Sequence, residues 1–371
     1  MKNEDLFLLA SKGVSGLKPY QPGKPIEELE REYGISNVVK LASNENPLGM
    51  SDLAKEAINK AVKLAHLYPD GNAFHLKKSI AEFLAVNENQ ITIGNGSNDV
   101  LEIIARSFAD QNAEIIYSKY AFAVYPIVTQ AIGAKHVVTA ANDWGHDLHA
   151  MADAISDKTK VIFIANPNNP TGTYLTADEL QSFLANVPEN VIVVIDEAYH
   201  EYIDASDYAS ALNFLNDHPN LIVTRTFSKA YGLAGLRIGF CVSHPAIANI
   251  LNRVRQPFNA NSLALVAAQA ALADQDFIKQ AIAVNKAGMQ QLVDAFNRLG
   301  LEYIPSVGNF IAVDVQADGQ AVYEALLKKA IIVRPVGAYD MPQHIRVSIG
   351  SETDNQKFIQ ALEQVLVEAA L

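Results

Sequence analysis

One cysteine in 371 residues, Cys241, excludes an internal disulfide framework and suits a reducing compartment. Positive charge is scarce as well. The chain has 29 Lys and Arg against 41 Asp and Glu, a net charge of −12, which excludes a general affinity for nucleic acid or anionic membrane. A local basic pocket is still allowed. No uninterrupted apolar run approaches the roughly 20 residues of a membrane-spanning helix. Glu4 and Asp5 precede a short apolar patch, which is not the order of a signal peptide, so a soluble cytoplasmic protein is expected. Internal repeats and low-complexity tracts are missing. What remains is an ordinary globular composition, 49% hydrophobic and 19% charged. At this length one small core does not suffice, and two domains are expected.

The first 25 residues, with Gly13, Gly16, Pro19, Pro22, Gly23 and Pro25, read as an arm that other surfaces must order. From about residue 50 to 265, helical patterns alternate with short apolar strands at 91–94, 114–118, 161–166, 191–198, 221–226 and 238–243. Helices are predicted at 98–109 and 176–187, the second capped by Thr176 with Glu179 completing a capping box. Such alternation gives an α/β fold with a mostly parallel sheet covered by helices on both faces. The last third changes texture. A long helix near 276–299 ends at Gly300, and strands at 310–315 and 345–349 alternate with helices near 318–330 and 353–370, a smaller α+β domain. The alanine-rich helix 262–274 is expected to bridge the two domains.

Four motifs fall at strand ends of the large domain, where open α/β sheets bind ligands. Gly94-Asn95-Gly96-Ser97-Asn98-Asp99 is a strand-to-helix turn whose free N–H groups suit a phosphate. It lacks the third glycine of the dinucleotide fingerprint, because Asp99 occupies that place, and it also reads as a plain capped helix start. Asn166-Pro167-Asn168-Asn169-Pro170-Thr171-Gly172 is either a rigid connector or a loop presenting the Asn169 amide. Asp196 follows five apolar residues, and a lone carboxylate at the end of a buried strand needs a cation unless it caps the next helix. Tyr199 lies three residues on. Finally, Thr226-Phe227-Ser228-Lys229 follows an apolar strand, with Arg237 eight residues past the lysine. A fixed cation and desolvation would lower the amine's proton affinity, as imine chemistry needs, although a lone lysine is more often a solvated surface residue.

In this order the motifs resemble the fold-type I enzymes that use pyridoxal 5'-phosphate, specifically the class I/II aminotransferases, over nearly the whole chain. Asn44-Glu45-Asn46-Pro47-Leu48-Gly49, Tyr68-Pro69-Asp70-Gly71, the segment Thr226 to Gly239, and Val333-Arg334-Pro335 with Ile345-Arg346-Val347 are similar to the histidinol-phosphate aminotransferases within that family. The resemblance implies a seven-stranded large domain over 46–265. It also implies a small domain over 266–371 and an arm, with part of the small domain, over 1–45. Lys229 would form the Schiff base and act as acid and base, while Asp196 would pair with the pyridinium. Asn169 and Tyr199 would bind the phenolate oxygen, and Phe122 would stack on the ring. Ser97, Asn98, Thr226, Ser228 and Arg237 would hold the cofactor phosphate. Tyr68 would reach the phosphate of the neighbouring subunit, which makes the active unit a homodimer. Tyr20, Asn44, Arg334 and Arg346 would contact substrate, the two arginines binding its phosphate. The implied reaction is ping-pong transamination between histidinol phosphate and 2-oxoglutarate, giving imidazole-acetol phosphate and glutamate in histidine biosynthesis. Tyr120 departs from the family pattern, standing where many members have proline.

An aromatic amino acid aminotransferase and a threonine-phosphate decarboxylase would share the same cofactor residues. A transcription-regulator sensor domain and a nicotinamide oxidoreductase fit less well, the first on length and charge and the second on the missing glycine. His146 and His149 lack a third ligand pattern, so no metal site is expected. Asn95-Gly96-Ser97 is formally a glycosylation sequon, but nothing else points to secretion. Cys241 reads as packing. Trp144, the only tryptophan, lies in a polar stretch with no function evident from sequence.

Overall fold

The computed structural model describes residues 9–20 and 23–369. Glu4, Asp5 and Pro22 of the arm therefore lie outside the described residues, as does the end of the last predicted helix beyond residue 369.

The large sheet has seven strands: β1 (Ile91–Gly94), β2 (Glu114–Ser118), β3 (Lys135–Thr139), β4 (Thr159–Ala165), β5 (Ile192–Asp196), β6 (Leu221–Thr226) and β7 (Gly239–Ser243). Their spatial order is β1-β7-β6-β5-β4-β2-β3. All neighbours are parallel except β7, which runs antiparallel to both β1 and β6. Every residue of β5 and β6 is buried, as expected of strands covered on both faces. β3 had no strand signal in the sequence. It is one of the two edge strands, Lys135, His136, Val137, Val138, Thr139, and its half-exposed pattern masks the apolar pair at its centre.

Alternation along the strands divides the core. Ile93, Ile116, Ile162, Ile164, Val193, Ile195 and Val223 face one side. Ile115, Val161, Phe163, Val194, Ile222 and Cys241 face the other, against the helix Ser97–Phe108. Burial pushes the Cys241 thiol up to about 12, so it packs as an inert apolar group. Thr176 and Glu179 form the expected capping box of the helix Ala177–Leu184.

The small sheet comprises β8 (Tyr303–Ile304), β9 (Phe310–Asp314), β10 (Arg334–Pro335) and β11 (His344–Ser348), antiparallel in the order β8-β9-β11-β10. Helices Gly319–Lys328 and Glu352–Ala369 flank it. Val39–Lys40 pairs in parallel with Ile331–Ile332, and Val39 and Leu41 join the core formed by Leu292, Phe296 and Phe358. The segment before residue 45 is thus built into the smaller core.

The bridge between the two cores differs from the expected one. The alanine-rich helix Ser262–Ala273 packs entirely within the large core, through Ala264, Ala267, Ala268 and Ala271. The 25-residue helix Gln275–Leu299 does the spanning. Ile278 lies in the large core, whereas Leu292, Ala295 and Phe296 lie in the small one. Small side chains permit close helix packing, which the alanine-rich helix uses, but crossing between cores takes length. The long helix ends where expected, at Gly300 with φ 68°.

Candidate active site

Parallel strands β4, β5 and β6 all end on one side of the sheet, and their C-terminal residues Ala165, Asp196 and Thr226 line a cavity of about 200 Å³. Fourteen of the sequence-derived candidates line it as well: Tyr20, Asn44, Ser97, Asn98, Phe122, Asn169, Asp196, Tyr199, Thr226, Ser228, Lys229, Arg237, Arg334 and Arg346. Tyr68 does not. It is 83% exposed on the surface and stacks on Phe258, ring centroids 4.9 Å apart.

Asp196 is the last residue of β5, and the β5–β6 register sets it opposite Thr224. The Thr224 hydroxyl donates to one carboxylate oxygen at 2.9 Å and the Tyr125 hydroxyl to the other at 3.1 Å. Burial pushes the carboxyl up to about 6, against the pull of these two donors. Among the described residues no cationic side chain forms an ion pair with it. Neighbouring Glu197 is buried with Arg225, which donates through Nε at 2.8 Å and lies 2.7 Å away through Nη2. That ion pair ties the ends of β5 and β6 together, so Asp196 stands on a fixed strand end.

Lys229 is half-buried, and its Nζ donates to the Ser43 carbonyl at 2.9 Å. Burial first, then the charges of Arg346 and Arg237, lower its pKa to about 7, while Glu45 opposes the shift. The arginine effect expected from sequence is present, but Arg346, over a hundred residues away, outranks Arg237. Asn44 and Asn169 donate to the Tyr199 hydroxyl at 2.9 and 3.1 Å, leaving the phenol its own proton to give. Burial keeps that proton in place, raising the Tyr199 pKa to about 12. Arg346 donates to Asn169 Oδ1 and to the Ala42 carbonyl, and its Nε is buried without a partner. Asn44 takes a left-handed backbone, φ 54°, and is held by Ser348 and Asn309. Arg334 meets Tyr20 at the mouth, its guanidinium 5.5 Å from the ring centroid.

The turn before the helix Ser97–Phe108 is a cradle built by glycines. Gly96 has φ 85°, and a Cβ there would sit 2.4 Å from the Arg237 guanidinium. A Cβ on Gly239 would sit 2.5 Å from the Ser97 backbone nitrogen. The first N–H groups of the helix, which has no side-chain cap, thus lie beside Arg237. Arg237 is braced by Ser228 Oγ at 3.3 Å and the Ala234 carbonyl at 3.0 Å. A helix N-terminus, an arginine and three hydroxyls make an anion site suited to a phosphate.

Tyr125, Thr224 and Tyr339 escaped the sequence reading. Thr224 alternates with Thr226 along β6 and so had a periodic signal, whereas Tyr125, in the first turn of the helix Val124–Ala131, had none. Tyr339 lines the cavity from the small domain with no local motif. Tyr120 has φ 61°, a conformation closed to proline, so the backbone here differs from that of members with proline. His146 bonds the Ala165 carbonyl through Nε2 at 2.8 Å, and burial lowers its pKa to about 4. Among the described residues no cluster of His, Cys, Asp and Glu is placed to hold a metal. Nor is any helix long and apolar enough to cross a membrane.

Residues 36–362 match the family model described as Aminotransferase class I and II. The chain belongs to the class I and II aminotransferases. Among curated members, Histidinol-phosphate aminotransferase 1 of Nitrosococcus oceani is 56% identical over 98% of this chain and 99% of its own. Histidinol-phosphate aminotransferase 2 of Pseudomonas aeruginosa is 55% identical over 98% and 99%. Among solved aminotransferase structures, the histidinol-phosphate aminotransferase of Sinorhizobium meliloti in complex with pyridoxal-5'-phosphate superposes with a TM-score of 0.90, at 29% identity over 97% of this chain and 98% of that one. Aspartate aminotransferase of Thermus thermophilus shares the fold, with a TM-score of 0.83 at 20% identity.

Proposed function

We propose that this chain is a histidinol-phosphate aminotransferase that uses pyridoxal 5'-phosphate to move an amino group between histidinol phosphate and 2-oxoglutarate in histidine biosynthesis. The observation that carries it is one cavity holding an amine lowered to about pH 7, a buried carboxylate without a cation, a phosphate cradle and two further arginines. The relatives' names supply the substrate.

The residues fit the cofactor on its three polar sides. Asp196 lacks a cationic partner, and a protonated ring nitrogen supplies one. Ser97, Asn98, Thr226, Ser228 and Arg237 offer N–H, hydroxyl and guanidinium donors to the phosphate. Tyr199 retains a proton for the phenolate oxygen, with Asn169 beside it, and Phe122 offers a ring face. When bound, the cofactor serves as the sink for electrons released at the substrate Cα. Lys229 would hold the cofactor covalently through Nζ and, once freed by substrate, would take the Cα proton on Nζ as base and give it up again as acid for the 1,3-proton shift. A positioned acid/base of this kind contributes roughly 10²–10⁴-fold. Arg334 and Arg346 bind the substrate phosphate, with Tyr20 and Asn44 shaping its approach, and both half-reactions share the site.

The active unit is a homodimer in the cytoplasm, in which Tyr68 reaches the partner's cofactor phosphate. Leu64, Leu67, Tyr68, Phe74 and Phe258, all exposed on the single chain, support such an interface, and the lone buried thiol suits a reducing compartment. The two cores support a cofactor domain and a small domain that takes in part of the first 45 residues, but they move the expected boundary at 265/266 into the helix Gln275–Leu299, because Ser262–Ala273 and Ile278 pack in the large core.

The test compares kcat/KM for histidinol phosphate, phenylalanine and threonine phosphate, with 2-oxoglutarate as acceptor. Histidinol phosphate should lead, and Arg334→Ala should cut its kcat/KM by about 10²-fold while sparing phenylalanine, since forked bonds to a phosphate are among the stronger polar contacts. Equal losses on both substrates would remove Arg334 from phosphate binding. Carbon dioxide release from threonine phosphate would point to the decarboxylase.

A further inference from the structure

Trp144 lines no part of the cavity, yet it contacts segments that carry site residues from both domains. It sits at the tip of a two-residue hairpin in which Ala141 pairs with His146 and Asn142 with Gly145. Asp143 and Trp144 have φ 44° and 68°, the left-handed pair that such turns require and that Asn-Gly supplies most easily. A bulky indole at positive φ is unfavourable on backbone grounds, so its contacts must hold it there.

Those contacts are specific. The indole packs on Tyr120, centroids 5.0 Å apart, two residues before Phe122. It also meets His344, centroids 5.1 Å apart, two residues before Arg346 and on the same face of β11. The Tyr120 carbonyl in turn accepts from Asn168 Nδ2 at 3.0 Å, next to Asn169. Val336, Met341 and Tyr339 of the small domain close the same cluster. The hairpin itself is anchored to the large domain, because His146 bonds the Ala165 carbonyl at the cavity's edge.

We propose that Trp144 is a positioning residue: an aromatic wedge between the domains that sets the small-domain Arg346 against the large-domain Phe122 and Asn169, and so governs substrate binding. This rests on Arg346 as a substrate-anion arginine. The wedge is expected to act on substrate affinity, because Lys229, Asp196 and the phosphate cradle all belong to the large-domain side and do not touch it.

The experiment prepares the holoenzyme as Trp144→Leu, Trp144→Phe, Tyr120→Leu and Arg346→Ala, and measures KM, kcat, melting temperature and the visible absorbance of bound cofactor. Trp144→Leu should keep the wild-type absorbance, raise KM for both substrates about tenfold and change kcat less than about threefold. Trp144→Phe, which keeps a ring in the wedge, should restore KM to within about threefold of wild type, and Tyr120→Leu should repeat the leucine pattern. If Trp144→Leu does not fold, Tyr120→Leu decides by the same KM criterion. A KM unchanged in the leucine variants, or a phenylalanine variant as impaired as leucine, overturns the proposal provided Arg346→Ala raises KM. Should Arg346→Ala leave KM unchanged, the anion role of Arg346 fails first and the proposal falls with it.

Discussion

Asp196 should make the cofactor-free protein less stable in proportion to its value to the bound one. Its carboxyl is raised from an ordinary 3.8 to about 6 by burial. The unfolded chain releases this proton near pH 4 and the folded one near pH 6, so between those values the native state binds the extra proton. Stability from this group is therefore full below pH 4 and declines as pH rises through 6. A shift of roughly two units corresponds to about 3 kcal/mol at neutral pH, by 1.4 kcal/mol per unit. Asp196→Asn keeps the shape and removes the charge, and the Tyr125 and Thr224 hydroxyls can reorient to serve the amide. Cofactor-free Asp196→Asn should accordingly match the wild type at pH 4 and exceed it at pH 8 by up to about 3 kcal/mol. Urea titrations of both proteins across this range measure the difference. The same variant should bind cofactor more weakly and lose at least roughly 10³-fold in kcat, because an amide cannot hold the ring-nitrogen proton. A stability difference that ignores pH, or a wild type that is the more stable at pH 8, would refute the placement of an uncompensated carboxylate at the end of β5.

Two other outcomes test the remaining sides of the cavity. Reconstitution of the cofactor-free protein, followed by the growth of visible absorbance, should quicken as pH rises through about 7, where the Lys229 amine becomes neutral, and Arg237→Gln should move the midpoint upward by removing a charge that lowers this pKa. A midpoint near the ordinary lysine value would place Nζ in solvent. Gly239→Ala should weaken cofactor affinity at least about tenfold, since a Cβ would lie 2.5 Å from the Ser97 backbone nitrogen and 2.8 Å from the Gly96 carbonyl carbon, where only backbone movement relieves the clash. Wild-type affinity in an equally stable variant would show that the cradle tolerates displacement.

What the sequence discloses about this site is its local part. The phosphate turn, the Asn-Pro loop, Asp196 with Tyr199, and Lys229 with Arg237 each lie at a strand end, and each of these buried strands carries a short apolar, β-branched stretch that marks it in the sequence. The edge strand Lys135–Thr139 has only an apolar pair because half of it meets solvent. Thr224 shows only that it shares a face with Thr226, and Tyr125 shows nothing, for a different reason. Their role depends on the register between β5 and β6 and on a hydrogen bond from Tyr125 to a residue 71 positions away, and neither is encoded within a window of neighbouring residues. The same holds for the electrostatics of Lys229. Arg237 is close in sequence, but the larger charge effect comes from Arg346, which folding of the small domain delivers. A lysine poised near neutrality is thus a property of two domains meeting, and a mutation that shifts the small domain should alter the amine without touching any residue in its motif. Trp144 occupies that junction, which is why a residue without a motif can bear on how Arg346 meets the substrate.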